Sequence, residues 1–445
     1  MFPILLVRLV DSQSTIFWVY TVSITGFLVF MYLATREYKP TPDVGHRPSV
    51  TVVIPAKNEE EVIESVVRTV FESVYPATKL EVVVVDDGST DRTWEKIQRI
   101  KLDPGLSGRL VSVRHERNYG KRVALATGVS LSHGEIIVCV DSDSFVESDA
   151  VKLLVQPFLD GSVVAVCGHG QAANKDEGIL PKLQHYWYAE MFRLMKGMET
   201  RFGCVTCCSG ILSAYRKWAI LPVINQWLNE RFNGNEVSVR DDYPPTNSQI
   251  RGLTGKLIKS PGEDRVLTSF ALSNRGAKVV YQSNAIVRTI VPGTFKQFLK
   301  QQLRWKRSWI HGSMLQGRFM WKKPWPMAFV FYLYQFLTYF SPVAIILWLF
   351  IMPLRGQWVG TAGFLAGTLY VGFLHGLNTW KYLRTSIESI PYQLMFIFVS
   401  LFLSLTVSLY AWATPWKGGW VTRSEESPRI SSEASPQPLL VEVAA

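Results

Sequence analysis

Two adjacent acidic residues, Glu263 and Asp264, stand at the start of a helix-like apolar run in the segment SPGEDRVLTSFAL (260–272). A carboxylate within hydrogen-bond reach of a substrate hydroxyl can act as a general base. Arg265 beside the pair would lower the pKa of a neighbouring carboxylate, whereas low-dielectric surroundings would raise it. An acidic cap at a helix N-terminus explains the same residues equally well. The pair is therefore a candidate that needs support from other motifs.

Acidic residues also end two apolar runs. VVVVDDGSTD places Asp86 and Asp87 where a carboxylate could bind a nucleobase or a ribose hydroxyl, or could simply form an Asp-Gly turn. VCVDSDSF places Asp141 and Asp143 after another strand-like run. Two hard oxygen donors on a tight turn suit Mg²⁺ or Mn²⁺, which keep waters and take substrate phosphates as further ligands. Together the two motifs indicate a nucleoside-diphosphate site.

Basic and aromatic residues supply a second set of candidates. RNYGKRVAL places Lys121 and Arg122 at a helix start, where cations and free N–H groups suit a diphosphate or form a solvated turn. QQLRW offers Gln301, Arg304 and Trp305, which suit a sugar ring and a pyrophosphate. The same residues would also suit an amphipathic helix lying at lipid headgroups. No P-loop lysine motif and no G-x-G-x-x-G motif occurs, so ATPase and dinucleotide-binding functions are not indicated.

The elements that must position these residues follow from the apolar pattern between residue 49 and about residue 290. Short β-branched runs alternate with helical stretches, such as EEEVIESVVRTVFES (59–73), whose apolar positions recur at helical spacing. This alternation predicts a mostly parallel α/β sheet, in which ligands bind at the carboxyl ends of strands. The acidic motifs fall at such ends. The predicted strands are SVTVVIP, LEVVVVDDG, RLVSVRHE, EIIVCVDSD, VVAVCGHG and KVVYQSNAIV.

Composition narrows the class of protein. The chain has 445 residues, is 48% hydrophobic, contains 15 Trp and carries a formal charge of +11. This charge suits an anionic partner such as nucleic acid, acidic lipid or a phosphate-bearing substrate, or reflects basic flanks of membrane helices. The five cysteines are odd in number, and CVTCC has no second pair or nearby histidine. Reduced thiols are therefore expected rather than a zinc site or a disulfide framework.

Membrane segments are expected at both ends of the α/β region. Residues 16–35 contain no charge and are about as long as a helix needs to cross a bilayer, so an anchor is predicted. Arg36, Lys39 and Arg47 follow, which predicts that the next segment is cytoplasmic. Three more apolar segments lie near 327–352, 358–378 and 393–413, of which the first two are expected to span the bilayer.

In this order, and between membrane segments, DDGS, DSD, GEDR and QQLRW resemble the motifs of the processive family-2 inverting glycosyltransferases. That family includes the cellulose, chitin and hyaluronan synthases and the rhizobial chito-oligosaccharide synthase. The resemblance covers roughly residues 50–312 and is greatest to the last two, through NYGKRVALATG, RFGCVTCCSGILSAYR, NERFNGN, GEDRVLT and QQLRWKRSW. GGWVTR (418–423) is similar to a W-x-T-R loop near the carboxyl end of hyaluronan and chitin synthases.

The resemblance implies a GT-A-type fold, a mostly parallel α/β sheet with flanking helices, joined to α-helical transmembrane segments. It also implies a role for each candidate residue. Asp264 would be the catalytic base, with Glu263 beside it. Cys207, Ser209, Gln301 and Trp305 would bind the acceptor sugar, and Mg²⁺ or Mn²⁺ would be held by Asp141 and Asp143. The residues implied in binding the nucleotide or its diphosphate are Asp86, Asp87, Lys121, Arg122, Asp141, Asp143, Arg304, Trp420 and Arg423.

The expected activity is single displacement with inversion, in which UDP-sugars are polymerised and the polymer is exported across the plasma membrane from a cytoplasmic catalytic domain. A hyaluronan synthase-like enzyme, using UDP-GlcNAc and UDP-GlcA, is the leading interpretation. Chitin, chito-oligosaccharide or glucan synthesis from one UDP-sugar stays open. A non-processive lipid-linked sugar transferase and a non-catalytic polysaccharide channel are less consistent with QQLRW and the acidic motifs. The partners would be a UDP-sugar, a growing polysaccharide and membrane lipid, without nucleic acid; oligomeric state is not indicated.

Two departures from the hyaluronan-type pattern need a structural answer. An insertion at 236–260 separates NGN from GEDR, and it could be a surface loop or part of the acceptor site. If all three carboxyl-terminal apolar segments crossed fully, residues 418–423 would lie outside, away from UDP; 393–413 is therefore expected to be re-entrant, interfacial or broken. The expected organisation is an anchor (1–40), a catalytic domain (41–295), amphipathic interfacial helices (296–326), membrane segments (327–415), a gating loop (416–423) and a disordered tail (424–445).

Overall fold

The computed structural model describes residues 13–232, 262–383 and 386–417. Three features discussed above lie outside the described residues. They are the 236–260 insertion, the 418–423 loop with Trp420 and Arg423, and the tail from 424 onward.

An eight-stranded sheet forms the centre of the catalytic domain, in the order β3-β2-β1-β4-β7-β6-β8-β5. The pairs β1–β2, β2–β3, β1–β4 and β6–β8 are parallel, and β4–β7, β6–β7 and β5–β8 are antiparallel. The strands are β1 (Val50–Ala56), β2 (Leu80–Asp86), β3 (Leu110–Arg114), β4 (Ile136–Cys139), β5 (Ser144–Val146), β6 (Val163–Ala172), β7 (Ser213–Arg216) and β8 (Lys278–Thr289).

Helices flank the sheet and continue into the carboxyl-terminal part of the chain. Three π-helical turns, Met191–Lys196, Leu347–Ile351 and Ser404–Ser408, interrupt helical runs. The α-helices are α1 (Gln13–Arg36), α2 (Ile63–Phe71), α3 (Thr93–Lys101), α4 (Lys121–Ser130), α5 (Ala150–Leu154), α6 (Ile179–Glu190), α7 (Gly197–Arg201), α8 (Lys217–Phe232), α9 (Glu263–Ser273), α10 (Phe295–Gly317), α11 (Trp325–Ile346), α12 (Met352–Leu354), α13 (Trp358–Leu383), α14 (Ser389–Leu403) and α15 (Leu409–Ala413).

The β-branched runs form strands because both faces of the sheet are buried. Val53 and Val83 face one apolar cluster, while their neighbours Val52 and Val82 face the other. This alternation follows from the period of two along a strand. All six runs that the sequence predicts to be strands are strands in the structure, as β1, β2, β3, β4, β6 and β8.

Two short strands, β5 and β7, are absent from the sequence prediction. Each has only three or four residues, and SAYR in β7 carries no apolar run. Strand β7 nevertheless lies between β4 and β6 and is antiparallel to both. The mostly parallel sheet is confirmed, with an antiparallel strand at its centre that sequence periodicity did not reveal.

The amino-terminal helix α1 packs against α11. Phe27 stacks on Tyr334 with ring centroids 5.6 Å apart, and Tyr20 lies 5.6 Å from Phe340. Residues nearer the sheet domain pair with earlier residues of α11, so the two helices run antiparallel. Within the described residues, three helical stretches are long and apolar enough to cross a membrane: Val19–Arg36, Trp325–Leu354 and Ser389–Ala413.

The sequence prediction that 358–378 spans the bilayer stays a prediction. Helix α13 is not among the three apolar stretches found in the described part of the chain. It contains five glycines together with His375 and Asn378, which lower its hydropathy. Two of these glycines have a packing role, since a Cβ on Gly376 would approach the Ile390 Cα to 2.6 Å. Small residues here allow α13 and α14 to lie close together.

Both ends of Ser389–Ala413 contact parts of the chain that belong to the catalytic half. Glu388 Oε2 pairs with Lys182 Nζ of α6 at 2.7 Å. At the other end, the Arg307 guanidinium of α10 donates to Thr414 Oγ1 at 2.7 Å. The π-helical turn Ser404–Ser408 interrupts the helix between them. These contacts favour the predicted re-entrant, interfacial or broken segment, although the membrane face of 418–423 stays a prediction.

We predict that Gly88→Ala destabilises the protein much more than Gly45→Ala. Both glycines have positive φ, +67° and +81°, which costs an alanine about 1–2 kcal/mol. Only at Gly88 would the new Cβ meet backbone, with Arg117 C at 2.5 Å, whereas nothing lies within 4 Å of the Gly45 Cβ. Thermal unfolding in detergent should show a midpoint more than about 4 °C lower for Gly88→Ala than for Gly45→Ala. Equal midpoints would contradict this reading of the turn.

Candidate active site

A lysine ammonium joins two carboxylates at the carboxyl edge of the sheet. Lys121 Nζ lies 2.7 Å from Asp141 Oδ1 and 2.5 Å from Glu263 Oε1. Lys121 begins α4, Asp141 follows β4, and Glu263 begins α9. Three motifs that are far apart in the sequence therefore meet at one charged group.

This contact separates the protonation behaviour of the adjacent acids. Burial would lower the pKa of Lys121, but Asp141 and Glu263 outweigh it and raise the pKa. Burial would raise the pKa of Glu263, but Lys121 lowers it below its ordinary value. Asp264 differs, since burial and the negative charge of Glu263 both raise its pKa. Glu263 is thus held as a carboxylate, whereas Asp264 is the more basic member of the pair.

A narrow, partly open cleft lies beside these groups. Its floor combines the sheet edge with the start of α9, so the acid pair faces the cleft at the end where parallel sheets bind ligands. The lining residues are Pro55, Lys121, Leu125, Cys139, Val140, Asp141, Gly210, Ser213, Tyr215, Glu263, Asp264 and Leu267.

Asp87 is fully buried and hydrogen-bonded within the protein. Its Oδ1 accepts from the Tyr119 backbone N–H at 2.9 Å and lies 2.8 Å from His115 Nδ1, and its Oδ2 accepts from the Gly120 N–H at 2.7 Å. These bonds fix the loop that leads into Lys121. The predicted contact of Asp87 with a nucleotide stays a prediction, since in this structure the carboxylate positions the loop.

Asp86 is also buried, and it caps the same turn. Its Oδ1 accepts from the Ser89 N–H at 3.0 Å, and its Oδ2 lies 3.3 Å from Arg114 Nε. Burial is the largest influence on this carboxyl group and raises its pKa. Asp86 Oδ2 is buried and accepts no hydrogen bond from the residues that the structure describes, so it could accept one from a ligand at this edge of the sheet.

The two aspartates of DSD have different surroundings. Asp141 faces the cleft, and a Cβ on Gly210 would lie 3.2 Å from its Oδ1, so glycine leaves space beside the carboxylate. Asp143 Oδ1 accepts from Thr289 Oγ1 at 3.3 Å. In the described chain, no group of three His, Cys, Asp or Glu side chains could hold a metal ion by itself. A Mg²⁺ or Mn²⁺ held by Asp141 and Asp143, with its other ligands from water and phosphate, stays a prediction.

Helix α10 carries QQLRW and packs over the acid pair. A capping box at Thr294 and Gln297 begins the helix. Trp305 lies 5.9 Å from the Trp187 ring and 6.0 Å from the Tyr188 ring. Gln301 Oε1 is buried without a hydrogen-bond partner. The motif therefore places an aromatic cluster and an available acceptor atom close to the sheet domain.

Arg304, the cation of QQLRW, is exposed at the surface of α10. Its positive charge helps to lower the pKa of Glu263, so it lies within electrostatic range of the acid pair. Arg122 follows Lys121 in the first turn of α4 and is half-buried. Both residues remain candidates for binding a diphosphate.

A loop on the other side of Asp264 contains Cys207 and Ser209. The Cys207 thiol lies 3.5 Å from Asp264 Oδ2. Ser209 Oγ accepts from Lys196 Nζ at 2.9 Å. All five cysteines are free, as the sequence predicts, and Cys207 alone among them is half-buried rather than buried.

The structure brings most of the candidates of the sequence analysis into one region, from Asp86 on β2 to Trp305 on α10. Trp420 and Arg423 cannot be placed, because they lie outside the described residues. Sequence reasoning missed Lys196, Glu199 and Gly210. Charged residues within a helical run such as MFRLMKGMET look solvent-exposed in a sequence, and only their burial reveals a structural or functional role.

The chain is similar to several known glycosyltransferases. The chain is 30% identical to a hyaluronan synthase of Streptococcus pyogenes over 322 residues, which are 71% of each chain. It is 33% identical to an N-acetylglucosaminyltransferase of Rhizobium meliloti over 271 residues, 60% of this chain and 57% of the relative. A mannosyltransferase from Pyrobaculum calidifontis, solved with GDP-Man and Mn²⁺, has a similar fold, with a TM-score of 0.57 and 20% identity over 89% of this chain and 98% of its own.

Family profiles match most of the described chain. The profile described as glycosyl transferase family 2 matches residues 51–220, and the one described as glycosyl transferase family group 2 matches residues 136–422. The second match covers more than half of the chain and includes both the acid pair and QQLRW. On this evidence the chain is an enzyme of glycosyltransferase family 2.

Proposed function

We propose that this enzyme is a membrane-bound, processive, inverting β-glycosyltransferase that uses UDP-sugars and exports its polymer. The observation that carries the proposal is the Lys121 bridge between Asp141 and Glu263, which sets Asp264 apart as the more basic acid. Inversion by single displacement needs one base for the acceptor hydroxyl and separate positive charge for the leaving diphosphate. The cleft supplies both in one place.

Asp264 is proposed to accept the proton of the acceptor hydroxyl as that oxygen attacks the anomeric carbon. Its Oδ1 accepts from the Arg265 backbone N–H at 2.8 Å, and its Oδ2 is contacted by the Cys207 thiol, so the carboxylate has a fixed orientation. Burial raises its pKa and so increases its basicity. Glu263, held ionised by Lys121, adds negative charge that further favours proton uptake by Asp264.

Departure of UDP would place negative charge next to Lys121, Arg122 and Arg304. A divalent cation bound at Asp141 and Asp143 would supply further charge neutralisation for the diphosphate. Lys121 keeps Asp141 oriented toward the cleft, and Gly210 leaves space beside that carboxylate. These residues are proposed to bind the donor rather than the acceptor.

The acceptor sugar is proposed to bind between the QQLRW helix and the loop of Cys207 and Ser209. Trp305 offers an aromatic face within a cluster that includes Trp187, and Gln301 offers an unpaired oxygen. Helix α10 in turn contacts the membrane-proximal segments, through Trp309 and Tyr339, whose rings are 5.1 Å apart. A chain end held here would lie next to helices long and apolar enough to span a membrane.

The product is proposed to be hyaluronan, with chitin or a chito-oligosaccharide as the second candidate. Similarity to the streptococcal hyaluronan synthase extends over a larger share of both chains than similarity to the rhizobial N-acetylglucosaminyltransferase. The latter relative, at 33% identity, is the specific reason to keep a single-donor product in view. The proposed location is the plasma membrane, with the catalytic domain in the cytoplasm.

Replacement of the proposed base should abolish transfer. We expect Asp264→Asn to reduce UDP release from the purified enzyme by at least about 10²-fold, because an amide cannot accept the proton. In the wild type, kcat/KM should fall as pH decreases through the pKa of Asp264, which lies above the ordinary value for an aspartate.

Asp160→Asn is a matched control for this experiment. Asp160 is exposed and pairs with Lys278 at 3.0 Å, and neither residue is a candidate site residue. It should leave UDP release unchanged. Activity of Asp264→Asn equal to that of this control would remove Asp264 from the mechanism.

Defined donors should identify the product. We expect purified enzyme to form a high-molecular-mass polymer with UDP-GlcNAc and UDP-GlcA together, and none with UDP-GlcNAc alone. The polymer should be sized by gel electrophoresis before and after digestion with hyaluronidase or chitinase. Chitinase-sensitive product from UDP-GlcNAc alone would replace hyaluronan with chitin or a chito-oligosaccharide.

A tag placed after Arg423 should lie on the cytoplasmic side. We expect it to resist protease in intact spheroplasts and to be cleaved after detergent is added, because both ends of Ser389–Ala413 contact the catalytic half of the chain. The same tag after the exposed Gly161 of the sheet domain is the control, with the same expected behaviour. Cleavage of the first tag alone in intact cells would contradict a role for Arg423 at the nucleotide.

A further inference from the structure

Lys196 is a buried lysine that the mechanism above does not use. It ends the π-helical turn Met191–Lys196 and is only 5% exposed. Its ammonium donates to the Cys207 carbonyl at 2.6 Å and to Ser209 Oγ at 2.9 Å, and it lies 3.1 Å from Cys167 Sγ. Burying a charge is costly unless partners replace its water. Here the partners come from the loop beside Asp264.

The third partner of the ammonium is the sulfur of Cys167. Burial raises the pKa of this thiol, but a hydrogen bond from Cys208 and the charge of Lys196 together lower it to about 6. Burial lowers the pKa of Lys196, but the neighbouring thiols, Cys167 first, raise it. Cys167 lies on β6 and is completely buried. The Cys167 sulfur on the sheet thus contacts the ammonium beneath the loop.

The same loop is fixed from three other elements. Glu199 of α7 accepts from Thr206 Oγ1 at 2.6 Å. Gln316 of α10 donates to the Thr206 carbonyl at 2.6 Å, and the Cys208 N–H donates to Thr268 Oγ1 of α9 at 2.8 Å. Lys196 differs from Glu199, Gln316 and Thr268 because it binds Cys207 and Ser209. These two residues lie in the part of the loop that is nearest the cleft.

The loop in turn contacts the proposed base. Cys207 Sγ lies 3.5 Å from Asp264 Oδ2. The other charged groups that act on Asp264 are Glu263 and Arg265 of its own helix and Lys121 of α4. Lys196 does not touch Asp264, and the contacts that connect its ammonium to the proposed base run through Cys207 of the loop.

We propose that Lys196 is a positioning residue for glycosyl transfer. By binding the Cys207 carbonyl and the Ser209 hydroxyl, it holds the Cys207 thiol against Asp264 Oδ2 and so orients the base toward the acceptor hydroxyl. This role rests on the proposed function of Asp264. It differs from a purely structural role, in which Lys196 would stabilise the domain without influencing the geometry of the base.

The test compares Lys196→Met, which removes all donors, with Lys196→Gln, which keeps a donor for the loop. Release of UDP should be measured with purified full-length enzyme and the UDP-sugars that the wild type accepts. We expect kcat to fall about 10- to 100-fold for Lys196→Met, as for a misplaced catalytic group, while the KM for the donor changes less than about twofold. Lys196→Gln should recover part of kcat.

Three further variants separate positioning from folding. Cys207→Ala lies in the half-buried loop and should shift the acidic limb of kcat/KM to higher pH, because a thiol hydrogen bond that stabilises the charged form of Asp264 is lost. Lys196→Met should shift that limb in the same direction, and the double variant should shift it no further. Lys217→Met removes a half-buried lysine that binds the Ser132 carbonyl near the amino-terminal end of β4, at the opposite end of this strand from Asp141. This variant should leave the acidic limb of kcat/KM unchanged.

Each outcome decides the proposal. Loss of thermal stability in Lys196→Met with an unchanged pH profile and kcat would overturn it and leave a structural role. Additive shifts in the double variant would also overturn it, since Lys196 would then act independently of Cys207. If the wild type releases no UDP with any sugar donor, the proposed function fails instead, and that result is distinguishable because it does not depend on the variants.

Discussion

The contact on which the site depends is the ammonium of Lys121 between the carboxylates of Asp141 and Glu263. A buried acid next to another buried acid would normally become protonated, because two like charges in low dielectric repel. Lys121 offsets that repulsion for Glu263 and lowers its pKa. The pKa of Asp264 is raised instead, by burial and by the charge of Glu263. The same lysine joins the end of β4 to the starts of α4 and α9. The position of the proposed base is therefore tied to the sheet through one charged group.

The position of Lys121 depends in turn on Asp87. The carboxylate of Asp87 binds the backbone N–H groups of Tyr119 and Gly120, which immediately precede Lys121. Gly88 completes the turn, because only a residue without Cβ fits against the backbone of Arg117. The DDG motif and the acid pair, 175 residues apart as counted from Gly88 to Glu263, are thus parts of one connected arrangement. Changes at the proposed nucleotide edge would be transmitted to the proposed base through this loop.

The sequence predicted what depends on local pattern and missed what depends on packing between distant segments. Runs such as LEVVVVDDG are strands because β-branched residues fill both faces of the sheet. Strand β7 was missed because its four residues, SAYR, are too few to show the alternation of apolar and polar residues that identifies a strand. The contact of two glycines of α13 with α14 was not predicted, because only the fold brings these two helices together. The burial of Lys196 depends on Cys167, which only the fold brings near it.

The proposed acceptor side depends on helix α10, which contacts both the start of α9 and the carboxyl-terminal apolar segment. A Cβ on Gly262, at the start of α9, would collide with Ser308 of α10, so the acid pair and the QQLRW helix are in direct contact. Farther along, Arg307 binds Thr414 just after the carboxyl-terminal apolar segment Ser389–Ala413. Helix α10 therefore cannot move relative to Asp264 without disturbing either the base or that segment. If the enzyme exports a polymer, the sugar chain must therefore move along α10 while α10 keeps its position relative to Asp264. The proposed base would then meet each new chain end in the same geometry.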